Sequence, residues 1–439
     1  MPTTRRISAN LPQLLFLVAL VFGLSLYANA VWLVRDPAAL RYFPPFIEGV
    51  NVNDVTHLGA EYFNIGAALA SGRGFSDPFA TGAGPTAWMP PLYPGLLALL
   101  IATLGSRAWV AAAVVLLQNL ALVLTGLVVF EAAQRTRRLL PAWSALALYA
   151  VWLCVHFFWF FQLTHDVWII MLCIDLTLVC AWELDARGAS SRRMGVWGTL
   201  GGLTFLTSPV AGFAWLVISA LLALRQRIFA RMLAAVLLAL GICSIWIVRN
   251  AVVFDRFVFI KSNLFFDLYQ ANVASPDGAY DEPFLNEHPV WGVGDDAAAA
   301  SFARDEMAFV DWYSYRFIHD ALARPGEIRP RVWNRLLAAT IRYKPYQPDY
   351  EGPRPWARTV VCALPFIFLL VLIARRAGRV GPHAAVAITI YAAYLLPYIV
   401  TAFYTRYLLP LTPVLVLFVF WGVDAVVSRG EPHDPHLGR

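Results

Sequence analysis

The run Leu11-Pro-Gln-Leu-Leu-Phe-Leu-Val-Ala-Leu-Val-Phe-Gly-Leu-Ser-Leu-Tyr-Ala-Asn-Ala-Val-Trp-Leu33 contains no charged residue over 23 positions. A helix of about 20 apolar residues is long enough to cross the hydrocarbon core of a bilayer. The run is too long for the apolar region of a typical signal peptide, so we interpret it as an uncleaved first membrane span.

Apolar runs of this kind recur along the chain, which has 439 residues, of which 59% are hydrophobic and 14% charged. Soluble domains carry about 25% charged residues. The composition therefore predicts an all-α polytopic membrane protein with about ten transmembrane helices. We place the spans at 11–33, 108–131, 141–162, 166–184, 195–208, 209–224, 231–250, 358–374, 382–403 and 408–427.

Arginine-rich short loops all fall on one side of this predicted bundle. They hold Arg5, Arg6, Arg135, Arg137, Arg138, Arg187, Arg192, Arg193, Arg225, Arg227, Arg231, Arg375, Arg376 and Arg379. The positive-inside rule makes that side, and both termini, cytoplasmic. Two spans turning at Ser208-Pro209, rather than one broken helix over 195–224, keep the later arginines on it. The net charge of +6 reflects these loops, so no nucleic-acid partner is predicted.

This topology predicts one membrane domain over residues 1–427 with two long external segments, 34–107 and 251–357. Segments of this length usually have a role of their own. Apolar residues mixed with charges predict interfacial helices within them. The tail 428–439 is predicted to be disordered and cytoplasmic.

Three carboxylates lie on the predicted external face: Asp54, Glu61 and Asp166. Carboxylates at a membrane boundary are expensive to dehydrate and are usually functional or paired with a charge. They are candidates for a general base or for ligands of a divalent metal. In the alternative interpretation, Asp54 is solvated, Glu61 pairs with Arg73, and Asp166 caps its helix.

Two arginines at span ends, Arg249 and Arg406, lie on the same predicted face, with Lys261 as a weaker candidate. A guanidinium group binds phosphate oxygens bidentately, but an interfacial arginine also simply reaches for water. The aromatic residues Tyr62, Trp88 and Tyr93 have two interpretations as well. They stack on sugar rings or belong to an interfacial aromatic belt.

The order of four motifs along the chain is more informative than any one of them. They are Glu61-Tyr-x-x-Ile-x-x-x-Leu-x-x-Gly-x-Gly, Trp88-Met-Pro-Pro-Leu-Tyr-Pro, Trp246-x-x-Arg249-Asn250 and Arg406-Tyr407-x-x-Pro410-x-x-Pro413. This order resembles the bacterial glycosyltransferase-C superfamily, in the branch that holds aminoarabinose and protein O-mannosyl transferases. The resemblance extends to about residue 427.

The resemblance implies a bacterial inner-membrane enzyme that transfers a sugar, with inversion, from a polyprenyl-phosphate donor to a lipid, glycan or protein acceptor. Glu61 or Asp54 would be the base, Asp166 a second acid, and Arg249 and Arg406 would bind the lipid phosphate. Further substrate contacts would come from Tyr407, Tyr62, Trp88, Tyr93, His165, Asn250 and Lys261. The resemblance leaves metal dependence open, because related enzymes differ; if a divalent metal takes part, Asp54, Glu61 and Asp166 are its candidate ligands.

One departure from the family pattern leaves the identity of the base open. Many relatives begin the first loop with adjacent Asp-Glu, whereas Asp54 and Glu61 are separated here. Two alternatives therefore stay open. In the first alternative, the chain is a transporter or lipid flippase. In the second, it is a non-catalytic relative that binds polyprenyl phosphate.

Overall fold

The structure, a computed structural model, describes residues 11–35, 60–79, 82–137, 139–162, 164–279, 305–345, 355–375 and 381–428. Within these ranges the chain is helical, and extended pairing is limited to two isolated bridges. Eight of the described helices are long and apolar enough to cross a membrane. The prediction of an all-α, multi-pass membrane protein is therefore confirmed.

The α-helices of the described ranges are numbered in chain order. They are α1 Leu11–Arg35, α2 Ala60–Ala70, α3 Leu92–Leu104, α4 Arg107–Thr136, α5 Trp143–Val155, α6 Val167–Arg187, α7 Ser191–Thr207, α8 Pro209–Gln226, α9 Phe229–Phe254, α10 Leu264–Tyr269, α11 Glu306–Ala323, α12 Pro325–Thr340, α13 Pro355–Arg375, α14 Pro382–Val400 and α15 Thr412–Val427. Short π-helical turns follow α5 and α10, and a 3₁₀ turn, Thr405–Leu411, leads into α15.

Eight of the ten predicted spans correspond to helices of membrane-crossing length. The other two, α5 and α7, have 13 and 17 residues. The apolar run that begins in α5 continues past His156 as the π-helical turn Phe158–Gln162. The α7 helix carries Arg192 and Arg193 near its start, and these lower its hydropathy.

The predicted break at Ser208-Pro209 is present. Ser208 has an extended backbone, and its hydroxyl accepts a hydrogen bond from the Ala211 N–H. Pro209 occupies the first turn of α8, where its missing N–H costs nothing. The two helices then pack closely, since a Cβ on Gly201 would lie 2.4 Å from the Trp215 ring. The segment is therefore two antiparallel helices.

Polar contacts join many helix ends on one side of the bundle, which we call the basic side. They are Arg135–Glu183, Arg225–Asp185, Arg231–Ala189, Leu139–Asp424 and Trp182–His383. The opposite end of the bundle is called the site side. Asp166, Arg249, Val400 and Arg406 all lie at helix ends on the site side.

A helical cap covers the site side and comprises residues 60–90, 255–279 and 305–345 among those described. Its core is aromatic, with Phe75, Trp88, Phe266, Phe309 and Tyr313 packed together. The helices α11 and α12 belong to this cap; both lie in the segment 251–357, within which interfacial helices are predicted.

Arg335 fastens the cap to the bundle. Its fully buried guanidinium donates to the carbonyls of Ile399 and Val400 at the end of α14, at 2.7 and 3.0 Å. It also donates to the Asn272 side chain at 2.6 Å. A positive charge at a helix C-terminus is favourable because the carbonyl dipoles point toward it. The end of α14 is thereby held just before the turn that carries Arg406.

Candidate functional site

Asp166 is the centre of the best-formed polar group on the site side. It directly precedes α6, but its carboxylate makes no capping hydrogen bond to that helix. Instead, Oδ2 accepts a hydrogen bond from the Tyr62 hydroxyl at 2.6 Å, across 104 residues of sequence. The side chain is half-buried. Asp166 therefore faces the cap and its helix α2, which is the opposite of the capping interpretation.

The position of Tyr62 follows from the packing of α2. Gly66 faces α3, and a Cβ there would lie 2.9 Å from the Leu97 Cβ. The absent side chain lets the two helices approach closely. The Tyr62 ring meets the Tyr93 ring edge to face, with centroids 5.1 Å apart. Tyr93 in turn contacts the Trp168 ring at 6.2 Å, so both tyrosines line one wall beside Asp166.

Arg406 supplies positive charge to the same group. It lies in the 3₁₀ turn before α15, and its guanidinium sits over the rings of Tyr404 and Tyr407 at 4.7 and 5.7 Å. Such cation–π contacts hold an arginine in place without neutralising its charge. The Tyr407 ring also stacks on Tyr398, with centroids 4.1 Å apart. Arg406 thus has an aromatic support that holds its positive charge beside Asp166.

The pKa of the Tyr62 hydroxyl reports the electrostatics of this group. Burial raises this pKa well above its usual value, the adjacent Asp166 charge raises it further, and Arg406 opposes the shift. Glu61 adds a smaller contribution in the same direction as Asp166. Glu61 and Asp166 therefore act on one spot together with Arg406, and Tyr62 stays a neutral hydrogen-bond donor there.

His165 adds a second neutral donor. Burial, with help from Arg406, lowers the pKa of His165 to about 4, so the imidazole is uncharged near neutral pH. Its Nδ1 accepts the Val167 N–H at 3.3 Å, which assigns the ring proton to Nε2. Nε2 is buried and has no hydrogen-bond partner among the described residues. This N–H is available to a ligand oxygen.

Arg249 does not belong to the Asp166 group. Its guanidinium donates to the backbone carbonyls of Phe75 and Thr86, at 2.9 and 2.7 Å, and lies 4.9 Å from the Trp246 ring. One of the two arginines expected at the lipid phosphate thus holds Phe75 and Thr86 of the cap against the end of α9.

Three further residues predicted for the site lie with Arg249. Asn250 is fully buried and donates to the Val258 carbonyl at 3.3 Å. Trp88 is also fully buried in the aromatic core of the cap, where no sugar can stack on it. Lys261 is half-buried next to Ser262, on the same side of the cap. The candidate Asp54 lies outside the described residues.

Glu306, which no sequence motif marks, is a buried acid of the cap. Its carboxylate accepts hydrogen bonds from the Ser262 hydroxyl at 2.6 Å, the Ala87 N–H at 2.9 Å and the Thr86 hydroxyl. It joins α11 to the segment that precedes α3, through Thr86 and Ala87, and to the segment that precedes α10, through Ser262. Burial raises the pKa of Glu306, and these hydrogen bonds together with the Arg249 charge only partly offset the shift.

We expect thermal stability to report this buried acid. Because the folded pKa of Glu306 lies above the unfolded value of about 4.3, its contribution is complete below that pH and is lost as the pH rises through the folded pKa. Glu306→Gln mimics the neutral acid. The melting temperature of the native protein minus that of Glu306→Gln should therefore fall as the pH rises from about 4 to about 8.

Glu306→Ala is the companion variant. It leaves three buried donors unpaired, each at a cost of about 1–3 kcal/mol, so it should melt well below both other proteins at every pH. If the melting temperature of the native protein minus that of Glu306→Gln rose with pH, the raised pKa of Glu306 would be contradicted.

Arg249 has a second stability prediction. Arg249→Lys replaces a planar fork with a single ammonium and cannot reach the Phe75 and Thr86 carbonyls in the same geometry. We expect it to lower the free energy of unfolding by about 1–3 kcal/mol in detergent melts. Affinity for polyprenyl phosphate should change little in the protein that stays folded. If Arg249→Lys were as stable as the native protein but no longer bound the lipid phosphate, Arg249 would be a phosphate ligand and not a structural residue of the cap.

No group of three or more His, Cys, Asp or Glu side chains is arranged to hold a metal ion within the described ranges. Of the three predicted metal ligands, Glu61 and Asp166 are described and both act on Tyr62.

Comparison with known proteins gives no relative for this chain. No protein-family model, no curated protein and no solved structure matches it.

Proposed function

We propose that this protein is an integral-membrane glycosyltransferase of the glycosyltransferase-C type, which moves a sugar from a polyprenyl-phosphate donor to an acceptor hydroxyl. The observation that carries the proposal is the group formed by Asp166, Tyr62, His165 and Arg406 at the site side. A carboxylate, a fixed cation and two neutral donors meet there beneath the cap.

Sugar transfer from a lipid phosphate needs two opposite charges close together. A carboxylate takes the proton from the acceptor hydroxyl. General base catalysis of this kind typically raises the rate by about 10²–10⁴-fold. A positive group stabilises the departing phosphate. The half-buried Asp166 and Arg406 have these properties and act on the same Tyr62 hydroxyl.

The chemical step is a single inverting displacement. The acceptor oxygen forms a bond to the anomeric carbon while the bond from that carbon to the phosphate oxygen breaks. The electron pair leaves with the phosphate, and the acceptor proton passes to a carboxylate. We propose that Asp166 accepts this proton and that Glu61 is the second acid. Arg406 binds the departing phosphate, and the His165 Nε2–H donates a hydrogen bond to it.

In this mechanism Tyr62 holds the place of the acceptor. Its hydroxyl donates to Asp166 at 2.6 Å, which is the contact that an acceptor hydroxyl must make before it is deprotonated. The acceptor displaces the phenol, whose raised pKa prevents it from giving up its own proton. The half-buried rings of Tyr398 and Tyr407 stack on each other beside Arg406 and supply faces for a sugar or an isoprenoid chain.

The proposal includes a location. The arginines of the basic side fit the cytoplasmic face of a bacterial inner membrane, with both termini on that face. The cap and Asp166 are then extracytoplasmic. The helices α5 and α7 complete ten crossings, and α11 exposes Trp312, Tyr315, Ile318 and Leu322 along one face, as an interfacial helix does.

A transporter or flippase is the second candidate, and one observation favours it. Asp175 is buried in the middle of α6, and intramembrane carboxylates are common in transport pathways. The polar group at Asp166 favours the transferase, because it joins a base to a phosphate-binding cation outside the apolar part of the bundle.

The test is transfer of label from radiolabelled polyprenyl-phosphate sugars in proteoliposomes, with a panel of hydroxyl acceptors. Native protein should form product, and Glu61→Gln should retain measurable transfer if Asp166 is the base. Loss in Glu61→Gln together with full activity of Asp166→Asn would exchange their roles. Absence of product with every donor, alongside retained lipid-phosphate binding, would support the non-catalytic alternative.

A further inference from the structure

Asp175 is an acid that the proposed reaction does not use. It lies near the middle of the span Val167–Arg187 and is 3% exposed. It is nine residues after Asp166, which corresponds to about 13 Å along a helix axis. The two acids on this helix therefore differ in environment: one lies at the site side and the other lies inside the bundle.

The contacts of Asp175 are few and uncharged. Thr125 of α4 is hydrogen-bonded to Oδ2 at 2.6 Å. Oδ1 is buried and has no hydrogen-bond partner among the residues that the structure describes. The titratable groups that feel its charge are Tyr149 of α5, whose hydroxyl donates to the Leu122 carbonyl, and Cys173 of the same helix. Within the described ranges, no Lys, Arg or His contacts Asp175.

A carboxylate in these surroundings is unfavourable. A charged aspartate at the centre of a membrane helix costs at least about 2.5–3.5 kcal/mol. The usual remedy is a paired cation or several hydrogen bonds to the charged form. A bound Ca²⁺ or Mg²⁺ needs about six oxygen ligands, whereas Thr125 is the one hydrogen-bond partner of Asp175 among the described side chains. A proton needs only the carboxylate itself.

We propose that Asp175 is an intramembrane proton-binding site. The side chain is a neutral carboxylic acid at neutral pH, and its hydrogen bond with Thr125 joins α6 to α4. Because Asp166 precedes the same helix α6, the protonated pair links the position of Asp166 to α4. The inference stands on the burial and partners of Asp175 and holds whichever function the Asp166 group performs.

Infrared spectroscopy of the reconstituted protein distinguishes the two charge states. The spectrum of Asp175→Asn is subtracted from that of the native protein at neutral pH. In this difference spectrum, a neutral Asp175 appears as the carbonyl stretch of a protonated carboxyl group. Aspartate labelled with ¹³C must shift that band. Appearance of the paired carboxylate stretches in its place would overturn the proposal.

Thr125→Val provides a second measurement that does not depend on replacing Asp175. It keeps the acid and removes its hydrogen-bond partner, so the carbonyl band of the protonated group should move to higher frequency. Asp185→Asn is the matched control, because Asp185 lies on the same helix but pairs with Arg225 on the basic side. That control must leave the carbonyl band in place. If the band remained in Asp175→Asn, or kept its frequency in Thr125→Val, its assignment to a protonated Asp175 would be contradicted.

Discussion

Asp166→Asn is expected to abolish sugar transfer while the protein remains folded in the membrane. Asparagine has the same shape, and its side-chain oxygen still accepts the Tyr62 hydrogen bond, but it cannot take a proton. Removal of a general base lowers kcat by about 10²–10⁴-fold. The measurement is the rate of product formation at saturating donor, with the KM for donor determined in parallel.

The matched control for this variant is Asp185→Asn. Asp185 lies at the other end of α6 and pairs with Arg225 at 3.4 Å, so its loss perturbs the same helix without touching the site. We expect native kcat in this control. Equal losses in both variants would assign the effect to the stability of α6, and normal transfer by Asp166→Asn would exclude Asp166 as the base.

Arg406→Gln is expected to weaken binding of the lipid-phosphate donor strongly. Glutamine can still donate to an oxygen but brings no positive charge. Hydrogen bonds to charged groups contribute about 1.5–3 kcal/mol. Since about 1.4 kcal/mol corresponds to a tenfold change, we expect the Kd for polyprenyl phosphate to rise about 10- to 100-fold. The measurement is equilibrium binding of the lipid phosphate in nanodiscs.

Arg256→Gln is the control for Arg406→Gln. Arg256 lies on the same side of the bundle and forms an exposed ion pair with Asp311 at 2.8 Å. Exposed pairs contribute little to stability, so the variant should fold and bind donor normally. If both variants bind alike, the phosphate site is not at Arg406.

The membrane architecture could be predicted because apolar length is a local property of the sequence. The run 11–33 and the break at Ser208-Pro209 both appear as expected, the latter as the boundary between α7 and α8. The number of spans is less accessible, since α5 ends at His156 and passes into a π-helical turn that no local pattern marks.

Several candidate site residues that the sequence marks by residue type and predicted side of the membrane lie together in the structure. Seven of the predicted residues belong to the group around Tyr62 and Asp166 in the structure: Glu61, Tyr62, Tyr93, His165, Asp166, Arg406 and Tyr407. Each is an acid, a base or an aromatic residue in the predicted first external segment or at the predicted external end of a span, so the sequence marks them directly.

The partners of a side chain could not be predicted in the same way. Arg249 looks like a phosphate ligand in the sequence, yet it binds carbonyls of a loop whose course depends on glycines with positive φ, such as Gly74 and Gly84. Glu306 and Arg335 sit in long mixed helices where many charges face water. Only the tertiary structure shows that these two are buried and hydrogen-bonded.

The role that we propose for the Asp166–Arg406 group is cleavage of the bond between a sugar and a lipid phosphate. The most direct measurement is the amount of free polyprenyl phosphate released per sugar transferred by purified native protein and by Asp166→Asn. We predict one lipid phosphate released for each sugar transferred by the native protein, with both amounts lowered by about 10²–10⁴-fold in the variant. Lipid-linked sugar that crosses the bilayer intact, without release of phosphate, would contradict this role.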